Sequence, residues 1–174
     1  GDRTNDCGGS GSAGGTAIKI IDVSGISTVS VTIGSGGSAP SGSSGNSGSN
    51  GGTSSFGSHC SATGGGGAPS YDNTSNASAF GSGSGSGGNV NIDGGHGHYP
   101  KINESNSEMI PGWPGGVSYW GGAGKPATHD TFTGGGYNHN ADDSGAWGHG
   151  GAGSARNFNG SAGKQGVVLV ESFK

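Results

Sequence analysis

Apolar residues along this chain gather in short runs that are separated by long stretches of glycine and serine. Residues 17–23 are rich in β-branched side chains and are followed by Ser24-Gly25, so they predict a β-strand. Residues 26–33 alternate, with Val29 and Ile33 on one face and serine and threonine on the other, which is the period of a half-buried strand. Because Ser24-Gly25 can form a tight turn, the two runs together predict a β-hairpin.

Three further runs predict strands in the rest of the chain. Residues 54–62 place Phe56 and Cys60 on one face of an extended segment, and residues 89–93 form a short alternation. Residues 166–173 are the most apolar continuous run, which is typical of a strand covered on both faces. No segment has a helical period of about 3.6 residues, and glycine or proline interrupts every candidate helix. The sequence therefore predicts an all-β fold with essentially no helix.

Glycine occupies 45 of the 174 positions, and the hydrophobic fraction is only 26%. This composition excludes a conventional core of large side chains. Segments without side chains can pack side by side in the polyproline II conformation and pair backbone to backbone, although residues 41–52 equally suit plain loops. Three tryptophans, four tyrosines and five phenylalanines argue against a disordered linker. We expect one domain over 1–174, strand-rich over 14–63, glycine-rich and loop-rich over 64–165, and closed by a strand over 166–173.

The charge pattern and the motifs exclude several classes of function. Only 7 lysines and arginines are present and they are scattered, so a nucleic-acid partner is not expected. No run of about 18 apolar residues exists, so membrane insertion is not expected either. Gly124-Lys125 is followed by Pro126, which excludes a P-loop, and glycine-rich nucleotide motifs occur automatically in such a composition. We therefore predict a protein that is not an enzyme.

Five fragments, in order along the chain, resemble the glycine-rich distal domains of bacteriophage tail-fibre and receptor-binding proteins. The resemblance implies a domain at the tip of a fibre on the virion, joined to the rest of the fibre or to identical subunits. It also implies contact with a glycan or an outer-membrane protein on the bacterial surface. The fragments are GGTAIKIIDVSGISTVSVTIGSGG (14–37), GGTSSFGSHCSATGGGG (51–67), GSGGNVNIDGG (85–95), YWGGAG (119–124) and GVVLVESF (166–173).

Aromatic residues in the second half of the chain are the candidates for receptor contact. Aromatic rings offer rigid contact area at low ordering cost and stack on apolar faces of ligands such as sugar rings. The alternative is that they form a small core at the ends of the glycine-rich layers. Trp113 lies between Gly112 and Pro114 and is predicted at an exposed tip. The candidates are Tyr99, Trp113, Tyr119, Trp120, Phe132, Tyr137 and Trp147.

Histidine and cysteine give two weaker indications. His96 and His98 would point to the same face of an extended strand, and imidazole is a common ligand of transition metals. The pair is similar to the His-x-His motif of some phage fibre tips, in which three chains share an iron ion. The alternative is two exposed loop histidines, and no other cofactor is expected. Cys7 and Cys60 would form a disulfide in an oxidising compartment, or Cys60 would be a small buried apolar residue.

A second function class follows from the predicted strands at the two ends of the domain. Unpaired strand edges can be completed by a strand from a neighbouring chain. The chain would then be a secreted structural subunit that polymerises into extracellular filaments. The state of the protein in solution distinguishes this alternative from a discrete fibre tip.

Overall fold

The computed structural model describes residues 9–39, 47–68, 81–99, 113–126, 145–153 and 160–173. Within them there is no helix, and so none that could cross a membrane. All the strand pairs are antiparallel, and they form a two-stranded sheet of order β1-β6 and a four-stranded sheet of order β2-β3-β4-β5. The all-β prediction is confirmed. The strands are β1 (Thr16–Ile18), β2 (Val31–Thr32), β3 (Ser54–Phe56), β4 (Cys60–Ala62), β5 (Gly85–Ser86) and β6 (Val90–Ile92).

The predicted first hairpin is wrong in its pairing, although its turn forms. Gly25 has a φ of +82°, and the N–H of Ile26 donates to the carbonyl of Val23 at 3.0 Å. β1 nevertheless pairs with β6, with Thr16 opposite Ile92, and β2 pairs with β3. Strand neighbours are decided by the glycine-rich segments that lead into the strands, and these bring distant parts of the chain together.

Three other strand predictions have different outcomes. The run 54–62 is a hairpin rather than one strand, because Gly57 turns the chain at a φ of +52° and places β3 against β4. The strand predicted at 89–93 is confirmed as β6. The closing strand predicted at 166–173 is wrong: these residues form no ladder, and Leu169 and Phe173 are 65% and 89% exposed.

Most of the described chain is organised by backbone hydrogen bonds that repeat every three residues. In residues 9–15, which we call the central segment, successive N–H groups donate to three different neighbours. The N–H groups of residues 10 and 13 donate to carbonyls in 95–98, those of 11 and 14 to 148–151, and those of 12 and 15 to 63–66. This rotation is the geometry of a helix with about three residues per turn and no internal hydrogen bonds. The polyglycine II-like packing predicted from composition is therefore present, and we call this array of glycine-rich segments the backbone lattice.

Glycine is required where these segments touch. A Cβ built on Gly150 would lie 2.0 Å from the carbonyl oxygen of Gly11, and one on Gly65 would lie 2.0 Å from that of Ser12. Among the described residues the buried apolar side chains are only Ala13 and Ala152. The interior is therefore made of backbone rather than of interdigitated side chains, and its polar groups are largely satisfied by one another.

Candidate functional site

Three exposed aromatic side chains meet at one end of the domain. Tyr119, Trp120 and Trp147 are 54%, 39% and 51% exposed. The ring centroids of Tyr119 and Trp120 are 5.4 Å apart, those of Trp120 and Trp147 are 6.3 Å apart, and both pairs are edge-on. Such T-shaped contacts are favourable and leave ring faces open to solvent. We call these three residues the aromatic patch.

Two loops carry the aromatic patch, and buried Ser118 joins them. The loop 118–121 closes on itself through a bridge between Ser118 and Gly121, and Gly121 has a φ of +85°, which favours glycine. The hydroxyl of Ser118 donates to the carbonyl of Trp147 at 2.7 Å, and Ser118 is only 7% exposed. The relative position of the two loops is therefore held by a buried hydrogen bond rather than by the rings alone.

The aromatic patch helps to line a cavity of about 910 Å³. The same cavity is lined by Ile18, Ile20 and Val170, which are exposed apolar side chains. Exposed apolar side chains that line a cavity are typical of a binding site. Its rings can stack on an apolar ligand face, and tyrosine hydroxyl and indole N–H groups can donate hydrogen bonds at its edge.

Of the remaining candidate aromatic residues, Tyr99 and Trp113 do not join this patch. Trp113 is half-buried, its ring is stacked on His98 at 5.1 Å and 9°, and its Nε1 is buried without a hydrogen-bond partner. The exposed tip predicted at Trp113 is therefore wrong, because Pro114 leads directly into a packed segment. Tyr99 is 48% exposed and lies at the opposite end of the segments from the patch, next to His98, which is bonded to Ser10. Phe132 and Tyr137 lie outside the described residues.

His96 and His98 are both exposed and lie in the same extended segment. The Nδ1 of His98 is 3.3 Å from the carbonyl oxygen of Pro114. The described part of the chain contains no group of three or more histidine, cysteine or acidic side chains placed to hold a metal ion. Two imidazoles leave a tetrahedral set incomplete, so a metal at this pair would need ligands from elsewhere. The metal assignment stays a prediction.

Cys60 lies on β4, directly opposite Phe56 on β3, and it forms no disulfide with any other described residue. Its side chain is half-buried, so it is not the fully buried small apolar residue that was one of the two alternatives. Cys7 lies outside the described residues, so the pairing of the two cysteines stays a prediction as well.

His149 has no role predicted from the sequence, yet it is only 2% exposed. Its Nδ1 donates to the carbonyl of Gly150 at 2.6 Å, and a Cβ on Gly145 would meet its ring at 2.3 Å. The imidazole therefore fills a space that the missing side chain of Gly145 leaves, close to the loop that carries Trp147. The only sequence signal was a histidine between glycines, which does not distinguish a buried ring from a loop.

Comparison with known protein families supports the glycine-rich character of the chain. No curated protein matches the chain significantly. A family described as the glycine-rich domain matches residues 1–173, which is nearly the whole sequence. The match covers the glycine-rich segments of the backbone lattice and the loops between them, and the chain belongs to the glycine-rich domain family.

Proposed function

We propose that the chain is a receptor-binding tip domain of a bacteriophage tail fibre, a non-enzymatic adhesin on the virion. Its partner would be a glycan or an outer-membrane protein on the bacterial surface. The observation that carries the proposal is the aromatic patch of Tyr119, Trp120 and Trp147, three exposed rings held at one end of a rigid backbone lattice. The order of the five glycine-rich fragments supports the tail-fibre assignment.

Preorganisation favours recognition by this patch. Rings that are already fixed lose little freedom on binding, so more of the contact energy appears as affinity. Only 10% of the residues are charged, which suits a polar ligand such as a saccharide better than a strongly ionic one. Several copies of the domain on one fibre would raise the overall avidity above the weak affinity of each site, because every binding event after the first is intramolecular.

The test is binding of the full chain to host cells after Trp120→Ala and Trp147→Ala. Each substitution removes one exposed ring, and we expect binding to fall at least about tenfold, which corresponds to about 1.4 kcal/mol. Tyr99→Ala removes a ring of similar exposure at the opposite end of the domain and should leave binding unchanged. Unchanged binding by both tryptophan variants, or an equal loss from Tyr99→Ala, would contradict the assignment of the site to this patch.

A second candidate function rests on residues 166–173. This run is apolar and forms no ladder, and Leu169, Val170 and Phe173 are 65%, 62% and 89% exposed. Within the described part of the chain the backbone N–H groups of 167–173 donate no hydrogen bond, and an exposed apolar segment of this kind can add to the sheet of a neighbouring chain. Sedimentation over a range of concentrations separates the two functions, since filaments that disappear on deletion of 167–173 favour a structural subunit. A discrete species at all concentrations favours the fibre tip.

A further inference from the structure

Six glycine-rich segments form a closed ring around the cavity described above. Each segment is hydrogen-bonded to the next through its backbone. The six N–H to carbonyl pairs that close the ring are 12 to 66, 51 to 65, 52 to 35, 163 to 37, 164 to 149 and 14 to 148. Neighbouring segments run in opposite directions around the ring, so alternate segments are parallel to one another. The segments are the central segment, 63–68, 47–52, 34–39, 160–166 and 148–153, and residues of all six line the cavity.

The ring is a unit of the lattice, and no described residue runs through its centre as a further segment. The central segment contacts five hydrogen-bonded neighbours, 63–68, 81–84, 94–98, 113–117 and 148–153. Between the first and the last of these lies the cavity, in the place of a sixth neighbour. Extended chains that share hydrogen bonds lie about 4.8 Å apart, so a ring of six leaves room for one further backbone.

Three of the six walls present glycine to the cavity at positions where an added Cβ would need its neighbours to shift by only a few tenths of an ångström. A Cβ on Gly14 would have its nearest contact at 3.3 Å, and the values are 3.2 Å for Gly51 and 3.2 Å for Gly163. Each of these contacts is with the two flanking walls. By comparison, a Cβ on Gly64 or Gly150 would come within 2.3 or 2.0 Å of a neighbouring backbone. The glycines of the cavity therefore leave space that the ring does not use.

The other three walls bring unused backbone donors to the cavity. The N–H groups of Gly37, Gly65, Ala68 and Gly151 donate no hydrogen bond within the described part of the chain, and all four residues line the cavity. Gly65 and Ala68 are three residues apart, which is the repeat of the lattice. The carbonyl of Ser12 receives no donor there either. Ser12 is buried and the four donor residues are half-buried, so a ligand with both donors and acceptors along its length would pair the backbone groups that the ring leaves unpaired.

We propose that this cavity binds an extended glycine-rich segment of a partner protein, which would complete the lattice as its missing strand. Segment 81–84 already makes the equivalent contacts beside the central segment. It accepts from the N–H groups of Thr63, Gly66 and Gly94, and its Gly83 N–H donates to the carbonyl of Ala13. A partner segment parallel to residues 9–15 would accept in the same way from the four unused donors and would donate to the carbonyl of Ser12. Side chains on the partner would meet the glycine walls, so glycine is selected.

The test uses the full chain and a fluorescein-labelled peptide of two lysines followed by nine glycines, about 28 Å long at about 3.1 Å per residue. We expect saturable binding by fluorescence anisotropy, at least tenfold weaker for the matched peptide of nine alanines. Gly51→Leu and Gly14→Leu, on different walls, should each weaken binding at least tenfold by filling the cavity. Ser84→Leu is the control, because Ser84 is exposed and does not line the cavity.

Amide exchange measured by NMR gives a second readout. Exchange at Gly65, Ala68 and Gly151 should slow at least tenfold when the glycine peptide is bound, while exchange at Gly25 should not change. The proposal is overturned if no saturable binding occurs up to millimolar peptide, which would leave water as the occupant. Equal binding of the alanine peptide or of dodecanoate would also overturn it. Self-association of the chain that Gly51→Leu abolishes would assign the cavity to a second copy and reject a partner protein.

Discussion

Gly150→Ala tests whether direct contact between backbones holds the domain together. A Cβ at this position would lie 2.0 Å from the carbonyl oxygen of Gly11, whereas a Cβ at Gly14 would have its nearest neighbour at 3.3 Å. The segments 148–153 and 9–15 must therefore separate by about 1.3 Å before an alanine fits as well at 150 as at 14. The two segments have no flexible side chains between them to absorb this movement.

The cost of the separation follows from the hydrogen bonds that cross it. The N–H groups of Gly11 and Gly14 donate to the carbonyls of Gly151 and Gly148 at 2.9 and 2.8 Å, and a separation of about 1.3 Å would lengthen both distances beyond hydrogen-bonding range. Each buried donor left without a partner costs about 1–3 kcal/mol. Alanine also lowers the conformational entropy of the unfolded chain, which stabilises the folded state by about 0.4–1 kcal/mol. We therefore expect Gly150→Ala to lower the free energy of unfolding by about 1–5.6 kcal/mol.

Urea denaturation followed by tryptophan fluorescence measures this change, and the melting temperature should fall by roughly 2–20 °C for a chain of this size. Gly14→Ala is the matched control, since its Cβ would enter the cavity, and we expect it to stay within about 1 kcal/mol of the parent chain. A Gly150→Ala chain as stable as the parent would refute the reasoning. Equal destabilisation by the two alanines would show that the loss comes from glycine content rather than from lattice contact.

Three smaller predictions concern the turns and the aromatic patch. Gly25→Ala should cost about 1–2 kcal/mol in urea denaturation because its φ of +82° is left-handed, whereas Gly81→Ala, equally open but without a positive φ, should gain about 0.4–1 kcal/mol. Ser118→Ala removes the buried bond that joins the two patch loops, so the tryptophan emission should shift and stability should fall by about 1 kcal/mol. The hydroxyl of Ser24, and then its backbone N–H, hold the pKa of Asp22 below its usual 3.8. Asp22 therefore stabilises the turn fully above its ordinary pKa and less as the pH falls through the lowered value, and an NMR titration should show the pKa rising in Ser24→Ala.

The sequence predicted the class of fold but not the pairing of its strands. Composition was sufficient to exclude a side-chain core and to indicate polyglycine packing, because both depend on glycine number rather than on order. Pairing depends on which glycine-rich segments lie side by side, and segments of nearly identical sequence give no signal of their neighbours. β1 therefore pairs with β6, about seventy residues away, instead of with the run after Ser24-Gly25.

The aromatic patch could be predicted only in part, because the sequence does not show which loops lie side by side. Tyr119, Trp120 and Trp147 were identified as aromatic residues in glycine-flanked loops, and the structure brings these three together. Their proximity depends on the register between segments 113–117 and 148–153, where the N–H of Gly150 donates to the carbonyl of Gly116. Trp113 has the same local sequence character, yet the adjoining segment packs it against His98. The exposure of an aromatic ring thus depends on where its loop lies in the backbone lattice, and the residue type alone does not predict this.

A lattice of this kind restricts where chemistry can be placed. The central segment contacts neighbouring segments on every side except that of the cavity, and a side chain pointing at a neighbour would push it away, as the built Cβ positions at Gly65 and Gly150 show. Large side chains are therefore confined to segment ends, to the turns beyond them and to the outer faces. A substitution such as Trp120→Tyr in the aromatic patch changes no interior contact, while an alanine in the interior displaces a segment. Specificity can accordingly vary at the ends of the domain without a change in its stability, which suits a scaffold that presents different surfaces on one backbone.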